Sequence, residues 1–223
     1  MQRLFDVCVA VVALFILSPL LLLVAFFLRF SGEGEIFYRQ ERIGYKRERF
    51  RVFKFATMLK NSPNIGSGTL TMANDSRVLP LGKVLRKTKI NELPQLLNIF
   101  FGDLGLVGPR PLVPEGESHY GEKNSEIIRS VRPGVTGIGS LVLRDEEAFY
   151  AHRSDAHDFY KNIISPYKFT LEEWYIEHRT FFLDIKIMLL TALAIVWPDF
   201  SPWRFFRDLP RIPEEMLDSK LQR

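Results

Sequence analysis

The longest apolar block, VCVAVVALFILSPLLLLVAFFL, lies between Asp6 and Arg29 and holds no charge over 22 residues. At about 1.5 Å per residue it is long enough to cross a bilayer core of roughly 30 Å as a helix. A cleaved signal peptide is the competing reading, but it would have a shorter apolar region and a small-x-small cleavage site. Ser18-Pro19 falls near the middle of the block. An interior proline costs about 3 kcal/mol, and each central Leu, Ile, Phe or Val contributes about 0.3 to 0.6 kcal/mol toward insertion. Insertion therefore wins, and the proline decides shape: a kinked crossing, or a helix that bends at Ser18-Pro19 and returns, with the Ser hydroxyl satisfying a freed carbonyl. Arg3 before the block and the cations after Arg29 both prefer the cytoplasmic side, which favours a re-entrant, monotopic anchor.

Beyond Arg29 the spacing changes. From Ile36 to Met58, the turn at Ile43-Gly44-Tyr45-Lys46 and the alternation in FRVFKF predict a short hairpin with an apolar and a basic face. Next to an anchor that face suits anionic head groups; in a soluble protein it would be a solvated face. Asn61–Ser76 reads as a polar loop, and Leu79–Leu85 starts a helical pattern. A second helix is expected from Asn91, as N-cap, to Gly102, with Pro94 in its first turn. Asp103–Pro111 then reads as a rigid turn, and Glu122–Val131 as a helix ended by Pro133-Gly134. Thr170 with Glu173 forms a capping box that opens a long helix from Leu171 to about Trp197.

The apolar end of that helix, Ile187–Trp197, is too short to span. It reads as interfacial, with Trp197, Phe200, Trp203, Phe205 and Phe206 as aromatic anchors, or else as a buried core helix with an aromatic cluster. The fold class is α+β and mainly helical. Its expected divisions are an anchor over 1–30 (helix-break-helix), a compact domain over 31–207 and a polar tail over 208–223.

Composition adds limits. A chain of 223 residues, 47% hydrophobic, can bury one sizeable core or one domain plus a membrane element. The net charge of +4 is modest, but Arg39, Arg42, Lys46, Arg47, Arg49, Arg51 and Lys54 crowd one stretch. Cys8 is the single cysteine, so an intrachain disulfide or a thiolate cluster is excluded. His119, His152, His157 and His178 lack paired metal-ligand spacing and read as surface or core residues.

The chemistry concentrates in RKTKINELPQLLNIFFGDLGLVGPRP, from Arg86 to Pro111. Arg86, Lys87 and Lys89 precede Asn91 and Glu92 at a helix start, an arrangement that suits a phosphate with or without a divalent ion. Arg110 follows from the Gly-rich segment. An ordinary capped amphipathic helix followed by a turn accounts for the same pattern.

Several ordered motifs resemble the bacterial sugar transferase family, the monotopic phosphoglycosyl transferases. They are the apolar segment broken at Ser18-Pro19, Lys54-Phe55-x-Thr57-Met58, Asn91-Glu92-Leu93-Pro94, Gly102-Asp103, Val107-Gly108-Pro109-Arg110-Pro111 and Pro133-Gly134-Val135-Thr136-Gly137. The resemblance runs from about Arg3 to about Thr191 and is to the small form of the family. It implies a cytoplasm-facing enzyme of the bacterial inner membrane that moves a sugar-1-phosphate from a nucleotide diphosphate sugar, a UDP-sugar, to polyprenyl (undecaprenyl) phosphate. Nucleoside monophosphate leaves, and Mg2+ is the expected ion. Glu92 and Asn91 occupy the catalytic pair, Arg86, Arg110, Arg144 and Lys54 the phosphate-binding positions, and Glu92 and Asp184 the metal positions. The implied partners are membrane lipid, a homo-oligomer or the enzymes of a glycan assembly complex, with no nucleic acid.

The chain departs from the family pattern at Asn91, where the family has an Asp proposed as nucleophile. An amide is not a workable nucleophile. Three accounts follow: Glu92 attacks instead; polyprenyl phosphate attacks directly, with Glu92 as metal ligand or base; or activity is impaired and the chain serves a glycan assembly complex. Ala56, Leu104-Gly105 and Ile138-Gly139-Ser140 also differ, which bears on sugar or nucleotide recognition. A membrane-anchored, non-enzymatic anion-binding protein is the remaining alternative.

Overall fold

The computed structural model describes residues 2–65, 75–150, 153, 155–197 and 200–216. The fold is mainly helical, with two two-stranded sheets. It divides into two compact units, Met1–Glu41 with Arg51–Leu104, and Arg42–Phe50 with Gly105–Arg223.

The first unit is built around α1, Gln2–Arg29. Pro19 lies inside this helix without ending it, so the expected helix-break-helix is one continuous helical element. The Ser18 hydroxyl explains part of this: it donates to the Phe15 carbonyl at 2.8 Å, which is the acceptor that Pro19, lacking an N–H, leaves open. Most of α1 is exposed. Only 11% of its most apolar window is buried, and Phe15, Leu22 and Leu4 face outward.

The buried residues of α1 sit at its two ends. Asp6 and Ala10 lie near its start, and Val24 and Leu28 near its finish. Val24 and Leu28 join Phe55 and Leu85 in a core, with Leu21, Ile36 and Ile90 packed against it. Phe55 comes from β2 (Arg49–Phe55), the partner of β1 (Phe37–Ile43) in the expected hairpin. Leu85 comes from α2, Pro80–Lys87. Gly82 of α2 is needed because a Cβ there would meet the Thr57 carbonyl oxygen at 2.2 Å. Of the loop expected over Asn61–Ser76, residues 66–74 lie outside the described residues. Next to them, Arg77 is buried on Asp75 and on the Ser62 and Ile65 carbonyls.

The first part of the expected 91–102 helix differs. Lys89 is left-handed (φ 59°), Ile90–Glu92 form a single 3-10 turn, and α3 is the shorter Gln95–Phe101 with Pro94 as its N-cap. Asn91 is therefore inside a turn and is not an N-cap. The reason is Pro94, which ends one turn and begins the next. Gly102 closes α3 at φ 104° as expected. Arg3 reaches the carbonyls of Phe100 (3.2 Å) and Leu104 (3.3 Å), tying the start of α1 to the end of α3.

The segment Asp103–Pro111, which crosses into the second unit at Gly105, is not simply a turn. It contributes β3, Gly105–Val107, which runs parallel to β4, Gly134–Thr136, with Gly105 opposite Gly134 and Val107 opposite Thr136. The backbones come so close that a Cβ on Gly134 would lie 2.1 Å from the Gly108 nitrogen. Between the strands lies α4, Pro114–Arg129, interrupted at Gly121, which starts earlier than the helix expected from Glu122. Short helices α5 (Ile138–Val142), α6 (Glu147–Tyr150) and α7 (Ala156–Phe159) follow.

A π-helical turn, Tyr160–Ile164, leads into α8, Ser165–His178, and α9 spans Phe181–Val196. The single long helix from Leu171 is thus two helices, broken at Arg179-Thr180. Thr180 is the N-cap and accepts from the Leu183 N–H at 3.1 Å, whereas Thr170 lies within α8 and donates to the Pro166 carbonyl. One face of α9 is buried through Asp184, Ile187, Leu190 and Ala194, and the other exposes Phe182, Leu189, Val196 and Trp197. Phe206, expected as an anchor, is buried against Trp174. His178 is exposed and pairs with the Trp174 carbonyl. Within the expected tail, residues 217–223 lie outside the described residues.

Candidate active site

The central pair of the first unit is Lys54 and Glu92. Strand β2 carries Lys54 and the 3-10 turn carries Glu92, and Lys54 Nζ donates to Glu92 Oε1 at 3.1 Å. Their side chains are 15% and 22% exposed, so the pair is shielded enough for its charges to act strongly and open enough to reach a ligand. Beside Glu92, Asn91 is buried, and its Oδ1 has no hydrogen-bond partner. Arg86, in the last turn of α2, is half-buried and directs Nη1 to the Met58 sulfur at 3.6 Å. Met58 belongs to the same KF-x-TM motif as Lys54, so the motif supports two of the expected phosphate-binding cations. The seven-residue α3 removes the case for a phosphate on a long helix N-terminus.

In the second unit, Arg110 is exposed directly after β3 and Gly108-Pro109. Its backbone N–H bonds to the carboxyl group of Glu172 on α8. Glu172 is buried against the start of α5, where a Cβ on Gly139 would come within 2.5 Å of its Oε1. Sequence reading missed Glu172 because its neighbour Glu173 completed an attractive capping box. Glycines at 137 and 139 facing a later acidic residue were the available signal.

Burial pushes the Glu172 carboxyl up from 4.5 to about 7, opposed by the Arg110 N–H and by the charges of Lys168 and Arg110. A raised carboxyl pKa means that the folded protein holds a proton the unfolded chain releases. Stability is therefore fully present below about pH 4.5 and declines as pH rises toward about 7, by about 3 kcal/mol at most. Glu172→Gln should flatten that decline, as read by thermal unfolding between pH 5 and 8; an unchanged slope would remove Glu172 as its cause.

Arg144, two residues beyond α5, has a buried Nη1 without a hydrogen-bond partner. Asp184, in the first turn of α9, accepts the Tyr175 hydroxyl at 2.6 Å, with Arg179 Nε 4.0 Å away. Burial raises the Asp184 carboxyl, while Tyr175 and Arg179 hold it down. These contacts lock the α8–α9 corner, where the resemblance expects Asp184 as a metal ligand. Among the described residues no group of three or more His, Cys, Asp or Glu side chains could hold a metal ion. Magnesium does not require one, since it keeps several waters and binds through one or two carboxylates plus substrate phosphates. Glu92, partly exposed and in a phosphate-suited setting, fits that requirement.

A shielded Lys–Glu pair with Arg86 near it, in the unit that also carries an exposed apolar helix, is chemistry suited to a phosphate group. Residues 1–198 match the bacterial sugar transferase family, and the chain belongs to that family. It is 33% identical to the exopolysaccharide production protein ExoY of Rhizobium meliloti, over 87% of this chain and 84% of that protein. It is 34% identical to the uncharacterized sugar transferase EpsL of Bacillus subtilis, over 88% and 87%. A UDP-glucose:undecaprenyl-phosphate glucose-1-phosphate transferase of Xanthomonas campestris is 31% identical over 87% of this chain and 38% of its own length.

Proposed function

We propose that this chain transfers a sugar-1-phosphate from a UDP-sugar to polyprenyl phosphate, on the cytoplasmic face of the bacterial inner membrane, as the first membrane step of glycan assembly. The observation that carries this reading is the Lys54–Glu92 pair, set in the same compact unit as the exposed apolar helix α1. A polyprenyl phosphate offers a charged head at the boundary of a greasy phase, so its enzyme needs charged groups mounted on an element that lipid accepts. The printed activities of relatives such as the Xanthomonas protein point to the same reaction.

In the step itself, an oxygen of the acceptor phosphate attacks the sugar-bearing phosphorus, and the bond from that phosphorus to the bridging oxygen breaks. Nucleoside monophosphate leaves, and one P–O bond is exchanged for another. Residue 91 is an amide, so direct attack by the acceptor is the simplest course. In the first unit Lys54 and Arg86 bring positive charge to phosphate oxygens, arginine through forked donors, and in the second unit Arg110 and Arg144 offer the same chemistry. Glu92 orients Lys54 and would hold magnesium, which when bound would neutralise charge on the transferring phosphate.

The anchor is proposed as re-entrant. Arg3, Asp6 and Ala10 at one end of α1 and Val24 and Leu28 at the other are all bonded or buried within the first unit. Had α1 crossed the bilayer, one of these ends would lie on the far side, without the protein groups that hold it. Single cysteines at Gln2 and Ser31, in a Cys8→Ser background, should both resist an impermeant maleimide in intact cells and react once cells are opened. Labelling of position 2 from outside would contradict a re-entrant anchor. Activity is tested with solubilised protein, polyprenyl phosphate, magnesium and a panel of nucleotide sugars; release of nucleoside monophosphate that depends on the acceptor is the expected result.

A further inference from the structure

The first unit contains a side-chain network that the resemblance does not account for, centred on Asn98 of α3. Asn98 is fully buried, at 0% exposure. Its Oδ1 accepts from the Phe53 N–H at 2.9 Å, and its Nδ2 donates to the Arg51 carbonyl at 2.8 Å and to Asp103 Oδ2 at 2.9 Å. The Phe53 N–H and the Arg51 carbonyl are the two groups that one residue of a neighbouring parallel strand would engage on that edge of β2. The carboxamide of Asn98 thus takes the place of a third strand for one residue.

Asp103 fixes which way the amide points. A carboxylate only accepts, so the NH2 end must face it and the oxygen must face Phe53. The Asn98 backbone carbonyl in turn accepts from the N–H groups of Gly102 and Asp103, so the end of α3 that supplies Asp103 is held by the same residue.

We infer that Asn98 is a positioning residue for the Lys54–Glu92 pair: by clamping β2 at Arg51 and Phe53, it fixes the strand that presents Lys54 to Glu92. Lys54 directly follows the clamped Phe53, and Glu92 lies in the turn that leads into α3. The amide joins the two backbone segments whose separation sets the 3.1 Å contact. Without it, β2 has only its hairpin partner, and an edge N–H and carbonyl lose their protein partner in a partly buried setting.

This inference rests on the catalytic reading of Lys54 and Glu92, and its test separates the two. Asn98→Asp is nearly isosteric, but it loses both Nδ2 donations and sets a carboxylate against Asp103. Adding Asp103→Asn restores one donor–acceptor pair with the roles exchanged. Phosphosugar transfer under single-turnover conditions and thermal unfolding are read for each variant, with and without Lys54→Ala. Asn98→Asp should lower transfer about 30-fold, and Asp103→Asn should recover only part of that loss, because the Arg51 carbonyl still lacks the donor that Asn98 supplied. In the Lys54→Ala background, Asn98→Asp should change transfer less than about 3-fold, although the unfolding midpoint falls as far as it does with Lys54 present.

A full 30-fold loss in both backgrounds, or no loss with Lys54 present, overturns the inference. If Asn98→Asp does not fold, Asp103→Asn alone enters the same cycle. Its loss must likewise vanish without Lys54; otherwise the inference fails. Undiminished transfer by both Lys54→Ala and Glu92→Gln would instead overturn the catalytic reading beneath it.

Discussion

Glu92→Gln should lower phosphosugar transfer about 10³-fold and leave the protein bound to membranes. Gln keeps the shape of Glu and can still accept from Lys54, so the 3-10 turn at Ile90–Glu92 has no steric reason to move. What is lost is the negative charge that Lys54 faces at 3.1 Å and that a divalent ion would require. A 10³-fold loss corresponds to about 4 kcal/mol of transition-state stabilisation, well beyond the worth of an exposed ion pair. In the proposed reading membrane binding depends on the outward apolar surface of α1, which the substitution does not touch. Near-normal turnover by the purified variant would refute the role given to Glu92.

Asn91→Asp is expected to change the order of events. With Asn91 and the direct attack proposed above, no nucleoside monophosphate is released before polyprenyl phosphate is added. An Asp at 91 has a carboxylate that can attack the sugar-bearing phosphorus, and the variant should then release about one equivalent of monophosphate per enzyme without acceptor. The side chain is buried and its Oδ1 has no partner, so desolvation should raise the new carboxyl's pKa and make the burst grow with pH. A burst from the unaltered protein would show that Glu92, or another group, already forms a covalent intermediate.

Local spacing made the hairpin, the Gly102 helix stop and the Ser18 hydroxyl's bond to a freed carbonyl legible, because each depends on residues close in sequence. The Lys54–Glu92 contact joins residues 38 apart in sequence, and only the family's motifs put both on the same list. The parallel pairing of β3 with β4 was invisible for a different reason. Three-residue strands rich in glycine carry no alternation, and their signature is the absence of side chains where backbones meet. Thr170-x-x-Glu173 satisfied a local capping rule, but tertiary packing kept α8 running through it and moved the true cap to Thr180. Glu172 and Asn98 escaped because a buried polar residue is recognised by its partners, and those come from distant stretches of chain.

The central claim is that the sugar travels with a phosphate to a lipid carrier. It is tested most directly with a nucleotide sugar radiolabelled at the sugar-bearing phosphorus, incubated with the protein, magnesium and polyprenyl phosphate, and then extracted into organic solvent. The label should move into the lipid phase while unlabelled nucleoside monophosphate stays in water, and Glu92→Gln should abolish the movement. Label retained in the water phase as nucleoside diphosphate, with sugar alone in the lipid, would contradict it.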